Sequence, residues 1–364
     1  SFENDYPHIL SILDNIGLPL RAEHRGDEDP LLLAGGVASF INPEPIAAFF
    51  DCFLIGEAEA ILPRFFDAVS HDLLSRDRIS CLKTLAREVP GVYVPALYRT
   101  GYNSDGTLNA FEPIADVPHK IERQYVKDLS FTPTCSSIIT PNTIFDNTFL
   151  MEVSRGCPHG CRFCAAGFVY RPPRFRPFSI LKECMEQGIS KTDKIGLVGA
   201  AVSDLPDLNK ICGWEFEKDA RISFSSLRAD ALTSELLSIL KKSKTKTATI
   251  APDAGSDRMR NVINKGISET DILDAAEKIV TAGIPNLKLY FMVGLPTETL
   301  DDVEAIVTLC KKIKHRFLKS SRAKKRMGEI TVSLNSFVPK PFTPFQWVQM
   351  DDVRLLKSKI KKVK

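Results

Sequence analysis

Cys157, Cys161 and Cys164 fall within the run Cys157-Pro158-His159-Gly160-Cys161-Arg162-Phe163-Cys164. This Cys-x3-Cys-x2-Cys spacing lets three thiolates meet at one inorganic centre, and it stops one ligand short of a closed four-cysteine site. A metal site with an open position does chemistry, whereas a closed one is structural. An iron-sulfur cluster held by three thiolates leaves one iron free to take another ligand. Structural zinc is the alternative, with His159 or a distant cysteine as fourth ligand. Zinc sites usually come as two Cys-x2-Cys-type pairs, and the chain has no second pair. His159 otherwise reads as a polar loop residue. A disulfide framework is not expected, because nine cysteines is an odd number and no secretory signal opens the sequence.

The elements around the cysteines place them at a strand end. Residues 148–153 form a short apolar run into Arg155-Gly156, and loops leaving strand ends carry the active sites of α/β proteins. Six apolar strand candidates follow one another at 149–153, 195–198, 222–224, 247–251, 287–293 and 329–334. Helical patterns separate most of them, including a capping-box sequence at Ser268-Glu269-Thr270-Asp271 and an amphipathic stretch over 299–317. This alternation predicts a parallel sheet with helices outside it. Upstream, residues 3–17 have helical periodicity and 31–34 read as a buried parallel strand. A helix over 43–50 and a strand over 52–55 repeat the plan, so residues 1–87 read as a truncated doubly wound α/β piece. Residues 88–147, punctuated by Pro, Gly, Asn and Asp, read as a linker with short strands such as 92–94.

The three cysteines, with aromatic Phe163 before the last, resemble the signature of the radical S-adenosylmethionine (SAM) superfamily. Glu152-Val153-Ser154-Arg155-Gly156-Cys157 and Tyr170-Arg171-Pro172-Pro173-Arg174-Phe175-Arg176 are similar to a subgroup of uncharacterised members with an N-terminal cobalamin-binding-like domain. The resemblance implies a partial (β/α)6 radical SAM barrel over 148–364. It also implies that residues 1–87 are the C-terminal part of the cobalamin-binding-like domain. The first strands of that domain are then expected upstream of Ser1, and a chain that does not begin with Met reads as a piece of a longer one.

The resemblance further implies a 4Fe-4S cluster on Cys157, Cys161 and Cys164, with SAM chelating the fourth iron. One electron from a donor such as flavodoxin or ferredoxin then cleaves SAM to a 5'-deoxyadenosyl radical that attacks a substrate the sequence does not name. SAM contacts are expected at Phe163 and at the strand ends, first at Gly199 and Ala200, where a plain tight turn is the other reading. Ser226 and Arg228 follow, for which helix capping nearby is the alternative. Asp253, where relatives carry Glu, and Lys265, otherwise an ordinary solvated lysine, come next. Gly294 and Val338 complete the set, the latter in the proline-locked aromatic stretch Phe337 to Trp347. Cobalamin is a further cofactor of such relatives. This chain has no Asp-x-His-x-x-Gly motif for its lower ligand, and His24 in Glu23-His24-Arg25-Gly26 does not supply one.

A net charge of +3, with 44% hydrophobic and 26% charged residues, describes an ordinary globular protein. No apolar run approaches the roughly 20 residues that span a bilayer, so a cytoplasmic protein without membrane contact is expected. Lys311, Lys312, Lys314, Arg316, Lys319, Arg322, Lys324, Lys325 and Arg326 form a basic run, read as a solvated helix end rather than an RNA-binding patch. Arg171, Arg174 and Arg176 are candidates for an anionic substrate or for support of the cysteine loop. Two other functions stay open: a methylthiotransferase-like modifier of RNA or protein, and a metal-stabilised binding module without catalysis.

Overall fold

The computed structural model describes residues 3–69, 73, 77–131, 133–218, 220–224, 226–322 and 328–364. The chain divides into two units, Ser1–Lys127 and Asp128–Lys364. In the first, β1 (Leu33–Gly35), β2 (Cys52–Leu54) and β3 (Val92–Tyr93) form a sheet in that order. β1 and β2 are parallel, and β3 runs antiparallel to β2. Cys52 and Phe53 are fully buried at its centre. The strand expected over 31–34 begins later and is not buried: β1 is an edge strand, and Leu33 keeps 37% of its surface exposed. Beside the sheet, buried Asp51 accepts from Arg25 at 3.0 Å and from Arg78 at 2.9 Å, so a carboxylate removed from water keeps two cationic partners.

The stretch expected as a linker is divided at residue 127. β3 is part of the sheet, and the hairpin β4 (Tyr98–Tyr102) and β5 (Leu108–Pro113) stacks Tyr98 on Phe111 with ring centroids 5.0 Å apart. Gln124 adds a bridge to Gly56. These contacts bury aromatic surface and pair backbone groups, which draws residues 88–127 into the first unit.

The second unit begins by protecting an edge. Ser136 N–H donates to the Leu150 carbonyl at 2.8 Å and Glu152 N–H to the Thr134 carbonyl at 2.9 Å, pairing residues 134–136 with β6 (Phe149–Glu152). A small antiparallel ladder, β7 (Ser154–Arg155) and β8 (Arg174–Phe175), frames the cysteine loop. Then come β9 (Lys194–Val198), β10 (Arg221–Phe224), β11 (Thr247–Asp253), β12 (Asn286–Val293) and β13 (Ile330–Ser336). β6, β9 and β10 form one parallel sheet, and β11, β12 and β13 form another. A parallel bridge from Leu227 to Ile250 joins them, giving six strands in sequence order, as an open (β/α)6 arrangement requires.

Helices Phe178–Ile189, Leu208–Lys218, Ser234–Lys242, Glu269–Thr281 and Leu300–Arg322 separate the strands. β12 shows why one side is sealed. Leu287, Leu289, Phe291 and Val293 are fully buried and share a core with Ile279, Ile306 and Ile313 of the helices. The intervening Lys288, Tyr290 and Met292 stay partly exposed on the opposite face. A period of two thus aims the apolar residues at the helices. Local signals agree with this packing: Thr233 caps its helix by accepting from Leu236 N–H at 3.2 Å, and Ser268 with Asp271 forms the expected capping box. Among the described residues no helix is long and apolar enough to cross a membrane.

Leu289→Ala removes a fully buried side chain from the middle of β12. It is expected to destabilise the second unit by about 2–5 kcal/mol, read as a lower urea midpoint at unchanged slope.

Candidate metal centre

The cysteine loop leaves β7 through Gly156, which sits at φ +82°. A Cβ there would come 2.6 Å from the Tyr170 carbonyl oxygen, so only glycine fits both the backbone conformation and the close approach. The loop is held from outside. Arg162 N–H donates to the Ile263 carbonyl at 2.9 Å, and its guanidinium donates to the Val262 carbonyl at 2.6 Å. A cation thereby meets the carbonyls that the short helix Asp257–Val262 leaves free at its C-terminus. Asn264, at φ +53°, donates its side-chain amide to the Gly160 carbonyl at 2.8 Å. Phe345 N–H reaches the Arg162 carbonyl at 3.3 Å. Phe163 packs on an apolar cluster of Ala254, Met259, Ile263, Leu295 and Phe337, which gathers the ends of β11, β12 and β13 around the loop.

Burial pushes the Cys157 thiol up, and the neighbouring Cys164 adds to this while Arg228 opposes it. Cys161 is pushed up to about 11 by burial, opposed by Lys265 and reinforced by Asp253, Cys164 and Cys157. Cys157 and Cys161 therefore each feel the other cysteines of the loop, and a cation favours the thiolate of each: Arg228 for Cys157 and Lys265 for Cys161. Such a donor set holds its protons until a metal displaces them. Among the described residues no three His, Cys, Asp or Glu side chains are placed to hold a single ion. A cubane cluster asks for less convergence, since each thiolate binds a different iron.

The expected SAM contacts fall into three sets. Arg228, Asp253 and Lys265 join the cysteines. Lys265 Nζ donates to Asp253 Oδ2, both side chains being mostly buried, at the end of β11 where Asp253 adopts φ +63°. Burial raises the Asp253 carboxyl, and Lys265 and Arg228 pull it back. Arg228 is held by a two-pronged bond to Asp230 at 2.9 and 2.8 Å. Gly199 and Gly294 lie at strand ends in tight surroundings. A Cβ on Gly199 would sit 2.6 Å from Ser154 Oγ, a buried hydroxyl without a hydrogen-bond partner, which a polar ligand group would satisfy. A Cβ on Gly294 would meet Leu356 at 2.7 Å, so the turn that begins here is packed closely against the last helix. Ala200, Ser226 and Val338 are exposed.

The arginines after the loop support it. Arg176 is buried and bonds Glu152, the Leu129 carbonyl at 2.9 Å and Thr134 Oγ1 at 2.8 Å. Arg174 donates to the Pro172 carbonyl at 3.2 Å, and Arg171 lies over the Phe168 ring at 5.1 Å. In the basic run, Lys312 pairs with Glu269 and Arg316 with Glu277 on the neighbouring helix; Lys324, Lys325 and Arg326 lie outside the described residues. Sequence reasoning missed Arg162 and Asn264, and also the pairing of His159 Nε2 with Asp204 at 3.0 Å. The signal for Asn264 was present in Asn264-Lys265-Gly266, a turn sequence whose asparagine tolerates positive φ.

Two family descriptions match the chain: "Radical SAM proteins, N-terminal" over residues 1–95 and "Radical SAM superfamily" over residues 151–310. An uncharacterised protein of Methanocaldococcus jannaschii is 34% identical over 360 residues, covering 96% of this chain and 67% of that one. A tRNA-2-methylthio-N(6)-dimethylallyladenosine synthase of Flavobacterium psychrophilum is 24% identical over 210 residues, 49% of this chain and 44% of its own. Among solved structures, the cobalamin-dependent SAM radical enzyme OxsB, with aqua-cobalamin and SAM bound, gives a TM-score of 0.55 at 16% identity over 98% of this chain and 50% of that one. The radical SAM methyltransferase TsrM from Kitasatospora setae, with tryptophan and a SAM analogue, gives 0.57 at 15% over 94% of this chain and 60% of that one. These likenesses establish the fold, and the chain spans between about half and two thirds of the length of these two structures and of the Methanocaldococcus protein.

In the metal-free protein, Cys161 is expected to resist iodoacetamide at neutral pH and to react increasingly as pH rises through about 11. Its ordinary value is 9.0 and the folded one is higher, so its contribution to stability holds below pH 9 and is lost as pH rises through about 11. Arg162→Ala frees the loop from the helix end it caps, and it is expected to lower the iron and sulfide retained after anaerobic reconstitution and desalting.

Proposed function

Because this chain belongs to the radical SAM superfamily, we propose that it is a radical SAM enzyme whose 4Fe-4S cluster is held by Cys157, Cys161 and Cys164. The observation that carries this reading is the loop itself. Its three thiols sit at the rim of six parallel strands, with Arg228 favouring the anionic form of Cys157 and Lys265 that of Cys161. Cys157, Cys161 and Cys164 would hold the cluster, which would supply the one-electron reduction that splits SAM into methionine and a 5'-deoxyadenosyl radical able to take hydrogen from substrate.

The chain's own residues supply position, charge and dryness. Arg162 and Asn264 fix the loop against the end of the helix Asp257–Val262. Lys265 offers a cation to the methionine carboxylate, with Asp253 as its counter-ion and as a ribose contact. Arg228 keeps a second positive charge nearby because Asp230 anchors it. The backbone at Gly199 and the unpaired Ser154 hydroxyl offer polar contacts for the amino group. Phe163, Leu295 and Phe337 close one flank to water, and Phe345 packs edge-on to Phe337 with centroids 5.9 Å apart. Ala200, Ser226 and Val338 are assigned to the outer rim. The electron donor is a low-potential protein of the flavodoxin or ferredoxin kind.

OxsB is described as cobalamin-dependent. Cobalamin is a further cofactor of this reading; His24, the histidine considered for it, has an exposed side chain beside Glu23, and no step is derived through that cofactor. Resemblance to methylthiotransferases would imply a second, auxiliary cluster, for which Cys52, Cys81 and Cys135 are the upstream cysteines. Cys52 and Cys81 are core residues of the first unit, while Cys135 packs in the second against the core that includes Cys184.

Protein reconstituted anaerobically with iron and sulfide, then reduced, is expected to release 5'-deoxyadenosine from SAM and to change its electron paramagnetic resonance spectrum when SAM is added. Cys161→Ala is expected to reduce release to background. Equal turnover by the two proteins removes the cysteines from the site.

A further inference from the structure

The last helix, Val353–Val363, turns Leu356 and Lys359 inward. Lys359 Nζ bonds Glu298 Oε2 at 2.9 Å and Asp351 Oδ2 at 2.6 Å, and the side chains of Lys359 and Glu298 keep only 4% and 2% of their surface. A lysine this deep holds its charge only because both carboxylates face it. The same Glu298 oxygen accepts the Gly294 N–H at 2.7 Å. A cation on the final helix thus fixes a carboxylate, and that carboxylate fixes the first peptide of the turn 294–299 at the end of β12.

The turn also reaches the cysteine loop through an apolar contact. Leu295 is buried in the cluster that seats Phe163 of the cysteine loop. The Thr297 carbonyl, on a residue at φ +63°, accepts from Arg258 at 2.9 Å, and Arg258 is itself paired with Asp302. One side of the turn therefore rests on the final helix and the other on the loop that carries the thiols. The tight contact of Leu356 with Gly294 leaves little room for the turn to relax if the charge network is broken.

We propose that Lys359 is a positioning residue for SAM, acting through Glu298 to hold the 294–299 turn in the shape that binds SAM beside the cysteine loop. This rests on the radical SAM reading above. Lys359 touches no reacting atom, so its loss acts on binding and leaves the bond-breaking step in place.

The test is Lys359→Met in the full reconstituted chain, with SAM affinity measured by calorimetry and 5'-deoxyadenosine release followed against SAM concentration. The expected result is affinity weaker by about tenfold, a matching rise in KM, kcat within about twofold of wild type, and wild-type iron and sulfide content. Unchanged affinity overturns the proposal, as does a fall in kcat at constant KM. Should Lys359→Met fail to fold, Asp351→Asn removes only the outer partner, which is 24% exposed. It is expected to weaken SAM binding by a smaller factor, and unchanged affinity there also overturns the proposal. A wild-type protein that binds no SAM overturns the functional reading and this inference with it. A wild type that binds while both variants match it overturns this inference alone.

Discussion

Six parallel strands that end on the same rim are the constraint from which the site follows. Because β6, β9, β10, β11, β12 and β13 lie side by side in sequence order, each strand delivers the residues that follow it to one edge. Residues 100 or more positions apart in sequence then become neighbours: Gly160 meets Asn264, and Arg162 meets Val262. The helices seal one face with apolar side chains, and the other keeps the half-exposed Lys288, Tyr290 and Met292.

Charge at the rim is arranged in pairs rather than left to solvent. Asp253 sits against Lys265, Arg228 against Asp230, and Asp302 against Arg258. Asp302 is held below the usual carboxylate range: burial works against its charge, but Arg258, Ser256 and Thr299 outweigh burial. Pairing keeps each charge bearable away from water, and it fixes the direction in which each side chain points. Arg228 and Lys265, the cations that act on the Cys157 and Cys161 thiols, belong to these pairs, so their positions are set before any ligand arrives.

Much of this was legible in the sequence because it rests on local pattern. The strand expected at 287–293 is β12 extended by Asn286 alone, and the capping box at Ser268 forms as its residue types require. Residues 88–127 read as a linker with short strands because Pro and Gly mark irregular backbone without saying what it packs against. Tyr93, Tyr98 and Phe111 gather there through tertiary contacts, with Tyr93 and Tyr98 centroids 5.3 Å apart. The strand at 31–34 was expected to be buried because a run of leucines carries no information about an uncovered edge. Arg162 escaped notice for a related reason: nothing in Cys161-Arg162-Phe163-Cys164 says that a helix end on the other half of the sheet awaits its guanidinium.

The anchoring of the cysteine loop has a consequence for the life of the protein. Zinc fingers owe their fold to the ion, so losing it unfolds them. Here the loop is tied to Val262, Ile263, Asn264 and Phe345 by bonds that involve no metal at all. Loss of an inorganic core therefore leaves these bonds in place, so the loop does not owe its shape to the metal as a zinc finger does.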